Sequence, residues 1–362
     1  MIVGILGGGQ LGRMLALAGY PLGLTFRFFD PSALSPVAPL AELWAHAFDD
    51  KESLARFADG VDVLTYEFEN VPVEAARELA QRCPLYPSPE ALQHSQDRLV
   101  EKALLQELGV PVPPFVAVDS RADLYQAVAA LGLPAVLKTR RMGYDGKGQA
   151  VLRTPEDLPR AWEALGGTPL ILEGFVPFTR EVSLISVRGR NGEIRFYPLV
   201  ENHHREGILR LSLAPAPGPI AELQAEAEGH ATRVLERLNY VGVLAIEFFE
   251  RDGHLLANEM APRVHNSGHW TIEGAETGQF ENHLRAILGL PLGSTALRGL
   301  SAMVNIIGDA PDAAAVLAVP GAHLHLYGKA PRAGRKIGHV TLRADDPDTL
   351  QTHLSELQLL IP

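Results

Sequence analysis

The sequence predicts a mixed architecture: an α/β portion first, an α+β portion in the middle and a small β-rich portion last. Three observations carry this. From Met1 to Leu92, short apolar strands alternate with helical periods and a glycine-rich turn. From Glu181 to Leu213, apolar and polar residues alternate with the period of long antiparallel strands. After Gly289 the character changes, and Leu300–Ile307 and Ile337–Arg343 read as strands of a tail closed by a helix over Pro347–Leu357.

Met1–Leu6 reads as a buried strand, Gln10–Gly19 as a helix, Leu24–Phe29 as a second strand ending at Asp30, and Val61–Tyr66 as a third. Such alternation implies a parallel sheet covered on both faces. Gln96–Leu108 reads as an amphipathic helix, followed by the proline-bearing Pro111–Pro114. Next come Ala122–Leu131 (helix), Ala135–Lys138 (strand), the glycine loop Gly143–Gly148, Gln149–Arg153 (strand), Pro155–Leu165 (helix) and Leu170–Glu173 (strand). Pro215–Pro219 is a linker, Ile220–Leu238 a long helix, and Val241–Glu247 and His254–Asn258 are two further strands. The expected domains are 1–95, 96–290 (with a lid subdomain at about 135–175) and 291–362.

At 362 residues the chain exceeds one ordinary core, so two or three domains are expected. The net charge of -11, without a block of like charge, argues against nucleic acid as the main partner. A phosphorylated small molecule needs only a local basic cluster. The single cysteine, Cys83, cannot form an intrachain disulfide and reads as a buried thiol in a reducing cytoplasm. The apolar first 24 residues lack a basic lead and are broken by glycines, so they do not read as a signal peptide. No apolar run reaches the length of about 18 residues that a membrane-spanning helix needs.

The segment Asn258-Glu259-Met260-Ala261-Pro262-Arg263-Val264-His265-Asn266-Ser267-Gly268-His269-Trp270 concentrates the chemistry. It joins an acid, an amide, a guanidinium and an imidazole where a simple turn would use Gly, Asn and Ser. Glu247 and Glu259 fall on adjacent strands, a layout that suits two carboxylates gripping a hard cation.

Two glycine loops address anions. Gly7-Gly8-Gly9-Gln10-Leu11-Gly12 matches G-x-G-x-x-G between strand and helix, with Asp30 closing the next strand. That is a dinucleotide-binding pattern, but exposed backbone N–H groups would serve a substrate phosphate or ribose as well. A tight turn packed against the sheet is the plainer reading. Glu67 and Glu69, at the carboxyl end of the third strand, project to one face if the strand continues. The second loop, Lys138-Thr139-Arg140-Arg141-Met142-Gly143-Tyr144-Asp145-Gly146-Lys147-Gly148-Gln149, pairs a strand-borne lysine with a glycine flap. It lacks the G-K-[ST] ending of a P-loop and reads as a lid over phosphates. Glu173 and Glu181 follow, and of His203 and His204 at most one faces a site.

The order of the glycine turn, strand lysine, GYDGKGQ loop, E-x7-E, AIEFF and NEMAPRVHNSGHW resembles the ATP-grasp ligases, and within them the N5-carboxyaminoimidazole ribonucleotide synthetase family. The resemblance runs from Gly7–Met14 to Gly334–His339, and departs at Met142, where many relatives have glycine. It implies an ATP-grasp fold with a Rossmann-like first domain that holds no nicotinamide. It implies ATP and bicarbonate as co-substrates, two Mg2+ ions, 5-aminoimidazole ribonucleotide as the carboxylated substrate, a homodimer, and hand-off of product to a mutase. Arg98, Lys138, Gly143, Tyr144, Asp145, Gly146, Lys147, Gly148 and Gln149 are then expected at the ATP phosphates. Glu173, Gly174, Phe175 and Val176 are expected at adenine, Glu181 at ribose, with His204, Asn258 and Glu259 completing the nucleotide site. Glu247 and Glu259 would hold magnesium, and Arg263, His265 and Lys138 would carry catalysis. Gln10, Leu11, Glu67, Tyr144, Asp145, Lys147, Arg263, His265, Asn266, Lys329, Arg335 and Lys336 are expected at the ribonucleotide substrate.

Three other readings stay open at this level: a different ATP-grasp ligase, a nicotinamide oxidoreductase built on Gly7–Gly12 and Asp30, and a non-catalytic nucleotide-binding regulator. The oxidoreductase leaves Lys138–Gln149 and Glu247–His265 unexplained.

Overall fold

The computed structural model describes residues 1–143 and 146–361. Its first unit contains β1 (Ile2–Leu6), α1 (Gln10–Gly19), β2 (Thr25–Phe29), β3 (Glu42–Trp44), α2 (Lys51–Ala58), β4 (Val63–Tyr66), α3 (Val73–Ala80) and α4 (Pro89–Ser95). The strands pair in parallel in the order β3-β2-β1-β4. β1 and β4 are almost wholly buried, as strands sandwiched between helices must be. β3 went unread because three residues carry no usable period, and α4 because its start looks like a turn. Ser88 caps α4 by accepting from Ala91 N, with Pro89 at the first helical position.

The second unit begins with α5 (Arg98–Glu107), followed by β5 (Phe115–Val118), α6 (Arg121–Leu131), β6 (Ala135–Thr139), β7 (Gln149–Leu152), α7 (Asp157–Leu165) and β8 (Leu170–Gly174). β5-β8-β6-β7 form an antiparallel sheet with its own core, in which Leu124, Leu137, Leu152, Leu158 and Leu172 are buried. The glycine loop is the connection between β6 and β7, and Lys138 pairs with Gln149 at its base.

The large sheet follows: β9 (Arg180–Arg188), β10 (Ile194–Phe196), β11 (Val200–Arg205), β12 (Ile208–Ala214), α8 (Ala221–Arg237), β13 (Gly242–Arg251), β14 (His254–Ala261), α9 (Thr271–Gly274), α10 (Gln279–Leu288), β15 (Leu300–Ile307), α11 (Ala313–Ala318), β16 (Ala322–Leu326), β17 (Lys336–Ala344) and α12 (Pro347–Leu360). Its order is β14-β13-β9-β11-β12-β15-β17-β16, with β10 on the far end of β9. The tail strands therefore do not form a separate sheet. β15 pairs antiparallel with β12, Leu211 opposite Val304, and so covers an edge that would otherwise be open.

Two faces of this sheet are covered. Leu184, Leu244, Ile246 and Phe248 pack under α8. On the other face Ile185, Val187, Val243 and Ala245 meet α10 and residues of the first unit, including Leu11, Met14 and Phe26. A buried imidazole ties these layers: His283 of α10 accepts from Val243 N at 3.1 Å through Nδ1 and meets Thr65 Oγ1 of β4 at 2.9 Å through Nε2. Cys83 is buried, with its thiol directed at Val61 O.

The first glycine turn is already filled by protein. Glu67 accepts from Gly9 N at 2.7 Å and Gly12 N at 3.2 Å, so a distant carboxylate caps α1 where a phosphate would sit in a dinucleotide fold. Asp30 is likewise used, accepting from Gly8 N at 2.8 Å. Gly7 has φ +97°, and a Cβ there would lie 2.8 Å from the Glu67 side chain. Gly7→Ala is expected to cost about 1–3 kcal/mol through backbone strain, measured by urea denaturation. An unchanged midpoint would show that the turn tolerates a side chain.

Candidate active site

The β13–β14 hairpin places Glu247 directly opposite Glu259. The register shifts immediately after Glu247, a bulge of the kind that re-aims side chains beside functional sites. Val243 and Ala245 lie on the Glu247 face of β13 and end in the core, so the carboxylate emerges where the apolar packing stops.

The two acids are electrostatically unequal. Burial opposes the charge on Glu259, but Arg98 Nη1 at 2.7 Å, aided by Lys138, brings it down to about 2. Glu247 is pushed up to about 7 by burial and by the Glu259 charge beside it. Arg98 is hydrogen-bonded to Glu259 alone, and a divalent ion between the carboxylates would add positive charge that Glu247 shares. Among the described residues no group of three or more His, Cys, Asp or Glu forms a metal cage. Two carboxylates with the remaining positions left to phosphates and water are what Mg2+ commonly takes.

Arg98 opens α5, and Asp97 caps that helix by accepting from Leu99 N at 3.0 Å. The same carboxylate takes Arg140 Nε at 2.9 Å and Nη2 at 2.7 Å, a bidentate clamp that ties α5 to the base of the glycine loop. One turn on, Glu101 accepts from Met260 N at 2.6 Å, fixing β14 beside Glu259. Burial and Glu259 push Glu101 up to about 8. Lys102 is fully buried and donates to Asn258 O at 3.0 Å. Sequence reading missed Asp97, Glu101 and Lys102. The signal was there, because Arg98, Glu101 and Lys102 share one helix face.

Lys138 of β6 donates to Glu173 of β8 at 2.9 Å and approaches Asn258 Oδ1 at 3.4 Å, with Lys102 3.5 Å from the same Glu173 oxygen. Burial disfavours the Glu173 carboxylate, but Lys138 and Lys102 keep it below its usual range. Among the described residues its buried Oε1 has no partner, an acceptor that an adenine amine would satisfy. Gly174 packs on Pro114, Val176 is buried and Phe175 is partly exposed beside it. On β9 and β11, Glu181 and His204 form an ion pair, and His204 is raised despite burial by Glu181 and Glu247. His203 turns the other way, half-exposed against Glu201 at 3.0 Å.

After β14 the chain enters the Arg263–Asn266 segment. Arg263 is ion-paired with Glu69 and also donates to its own neighbour Val264 O. His265 Nε2 lies 3.4 Å from Glu247 Oε1, and burial together with Arg263 lowers this imidazole to about 3, so it is neutral. Glu67 and Glu69 do not share a face: β4 ends at Tyr66, Glu67 turns to the glycine turn and Glu69 to Arg263. Asn266 is held from the C-terminal strands. Its amide is engaged on both atoms by Asn305, at 3.1 and 2.6 Å, which pins the loop.

The C-terminal cations reach back to the first unit. Lys329 donates to Gln10 and, with Arg263, acts on Glu67, a carboxyl that burial nonetheless raises. Lys336, at the start of β17, acts electrostatically on Glu247, His204 and His265. Arg335 is held by Ala330 O at 3.2 Å. Leu11 packs in the core, so any substrate contact there falls to its backbone. In the glycine loop Met142 has φ 61°, the left-handed region that glycine favours, and Gly146 and Gly148 have φ 74° and 72°. Gly146 abuts the Glu206–Gly207 turn between β11 and β12, while Tyr144 and Asp145 lie outside the described residues. Arg98, Gly143, Glu259, Arg263 and His265 line one narrow cleft of about 50 Å³. A larger cleft of about 540 Å³, lined by Glu273, Arg298, His323 and Arg343, shares none of them.

A small antiparallel sheet carrying a lysine and a glycine loop, set against a large sheet that carries opposed carboxylates, defines an ATP-grasp enzyme. The ATP-grasp domain family model matches residues 103–280, the ribonucleotide synthetase preATP-grasp domain residues 1–96, and the phosphoribosylaminoimidazole carboxylase C-terminal domain residues 301–353. An N5-carboxyaminoimidazole ribonucleotide synthase of Pseudomonas aeruginosa is 59% identical over 361 residues, covering 100% of this chain and 99% of the relative. The crystal structure of N5-carboxyaminoimidazole ribonucleotide synthetase from Thermus thermophilus superposes with a TM-score of 0.95 at 64% identity, covering 99% and 98% of the two chains. An Aspergillus clavatus synthase in complex with ADP and 5-aminoimidazole ribonucleotide gives 0.92 at 34% identity, covering 99% and 98%. The chain belongs to the N5-carboxyaminoimidazole ribonucleotide synthase family.

The Glu247 shift has a defined sign. Its folded value of about 7 lies above the ordinary 4.5, so ionising it costs stability as pH rises, and the full cost is present above pH 7. Metal-free Glu247→Gln is expected to melt on the order of 5 °C above the parent at pH 8, with the gap closing toward pH 5. Parallel melting curves across that range would contradict the like-charge account.

Proposed function

We propose that this protein uses ATP to carboxylate the amino group of 5-aminoimidazole ribonucleotide with bicarbonate, giving ADP, phosphate and N5-carboxyaminoimidazole ribonucleotide for purine biosynthesis. The observation that carries the chemistry is the facing of Glu247 and Glu259, with Arg98 against Glu259 and His265 against Glu247. One carboxylate pair thereby joins a phosphate-binding side to a carboxylate-activating side.

Bicarbonate is a poor electrophile. Its attack on the γ-phosphorus forms carboxyphosphate and releases ADP; the substrate amine then takes the carboxyl group and phosphate leaves. Phosphoryl transfer asks mainly for positioning and charge neutralisation. Glu247 and Glu259 would hold two Mg2+ ions, which when bound neutralise phosphate charge. Arg98, Lys138 and the Gly143–Gln149 loop are assigned to the phosphates, Glu173 through Val176 to adenine, and Glu181 and His204 to ribose. Arg263 offers a planar fork to a carboxyphosphate oxygen pair, and Glu69 holds that fork in place. Glu67, Gln10, Lys329, Arg335 and Lys336 are assigned to the ribonucleotide. The loop excludes water from an intermediate that hydrolyses readily.

Homodimer formation, transfer of the labile product to a mutase and a cytoplasmic location belong to the same proposal and rest on the family resemblance. No described helix is long and apolar enough to cross a membrane.

ADP formation is expected to require both bicarbonate and 5-aminoimidazole ribonucleotide. Equal turnover with other carboxylate and amine pairs would point to a different ATP-grasp ligase. Arg263→Ala is expected to lower kcat by roughly 10²–10³-fold, as loss of a charged transition-state contact does. Glu259→Gln is expected to abolish turnover while circular dichroism stays unchanged. Near-parental rates in either variant would remove that residue from the reaction.

A further inference from the structure

Beneath the Arg263–Asn266 segment, three buried polar side chains on β9, β11 and β12 line up with a fourth, Ser267, in the turn that follows it. Ser183, Ser212 and Ser267 are fully buried and Asn202 is 5% exposed. Such groups are costly in a core unless each is hydrogen-bonded, and here they form one chain. Ser212 Oγ donates to Asn202 Oδ1 at 2.8 Å. Asn202 Nδ2 donates to Ser183 Oγ at 2.9 Å, and Ser183 Oγ donates to Ser267 Oγ at 2.7 Å. Ser267 Oγ then meets His265 Nδ1 at 2.9 Å, and Ser267 N donates to the same nitrogen at 3.3 Å.

Each hydroxyl has one proton, so the chain has a direction. Asn202 supplies a proton to Ser183, which spends its own on Ser267, whose proton is left for His265 Nδ1. Run backwards, the chain would set an Nδ1–H against the Ser267 backbone N–H. Nδ1 is therefore an acceptor, and the neutral ring carries its proton on Nε2, toward Glu247 Oε1.

We propose that Asn202 and Ser183 are positioning residues that lock His265 in the Nε2–H tautomer, so that it presents a neutral hydrogen-bond donor beside Glu247 at the reacting carboxyl group. This rests on the reaction assigned above and gives His265 a donor's part in it.

The test is nitrogen NMR of protein labelled in the histidine rings, with the His265 resonances identified through His265→Gln, alongside steady-state kinetics. The parent is expected to show His265 protonated on Nε2. Asn202→Asp keeps the shape but offers only acceptors, which reverses the chain and moves the proton to Nδ1. Ser183→Ala cuts the chain and leaves the two tautomers mixed. Both variants are expected to lose on the order of 10-fold in kcat, in the range that outer-shell partners of a site histidine command, with KM for ATP little changed. A parent ring protonated on Nδ1 overturns the proposal even if neither variant folds. So does a folded variant that keeps the parental tautomer, or one that changes tautomer at full kcat. Absence of bicarbonate-dependent ADP formation in the parent would instead sink the reaction assignment and leave the tautomer result standing.

Discussion

The site depends on the repulsion between two carboxylates that a hairpin register holds face to face. Glu247 and Glu259 cannot separate, because their strands are pinned by the ladder on either side. Arg98 settles the distribution of charge: it keeps Glu259 ionised and leaves Glu247 as the member that holds a proton when no cation is present. The surrounding structure reads as support for that arrangement. Asp97 braces Arg98 and the glycine-loop base together, Glu101 fixes the backbone after Glu259, and Lys102 anchors Asn258.

A second carboxylate explains why a dinucleotide-like turn need not bind a dinucleotide. Glu67 occupies the N–H groups that would receive a phosphate, and it does so within reach of Arg263 and Lys329. The first unit thus brings an acid and an amide, Glu67 and Gln10, to Arg263 and Lys329. The C-terminal part, joined to the large sheet through β15, supplies Lys329 from the β16–β17 connection to Gln10 and Lys336 from the start of β17 to the field at Glu247. Fold continuity and site assembly are here one arrangement.

Where the period is clean the element was legible, and α1 and β15 coincide with their sequence-based bounds, but α2, α3, β5 and α10 were not read. The short β3 carries too few residues to show a period, and α4 hides behind turn chemistry. That β15 joins β12 is a long-range pairing with no local signature. Within the site, Glu247, Glu259, Lys138 and His265 could be named from residue type and spacing. Glu101 and Lys102 share a helix face with Arg98 and could have been read from that spacing, whereas Asp97 and the Asn202–Ser183 chain look like ordinary helix-cap and strand residues until folding buries them. Asn266 and Leu11 were named for residue type or position, and their side chains also serve the fold, Asn266 through Asn305 and Leu11 in the core.

The central claim is that the opposed glutamates share a cation with the nucleotide. The most direct test is a crystal structure with Mn2+ and ADP, the metal located by its anomalous scattering. The account predicts a peak within bonding distance of both the Glu247 and Glu259 carboxylates and of a nucleotide phosphate oxygen. A metal bound elsewhere, with the two carboxylates still facing each other without it, would contradict the account.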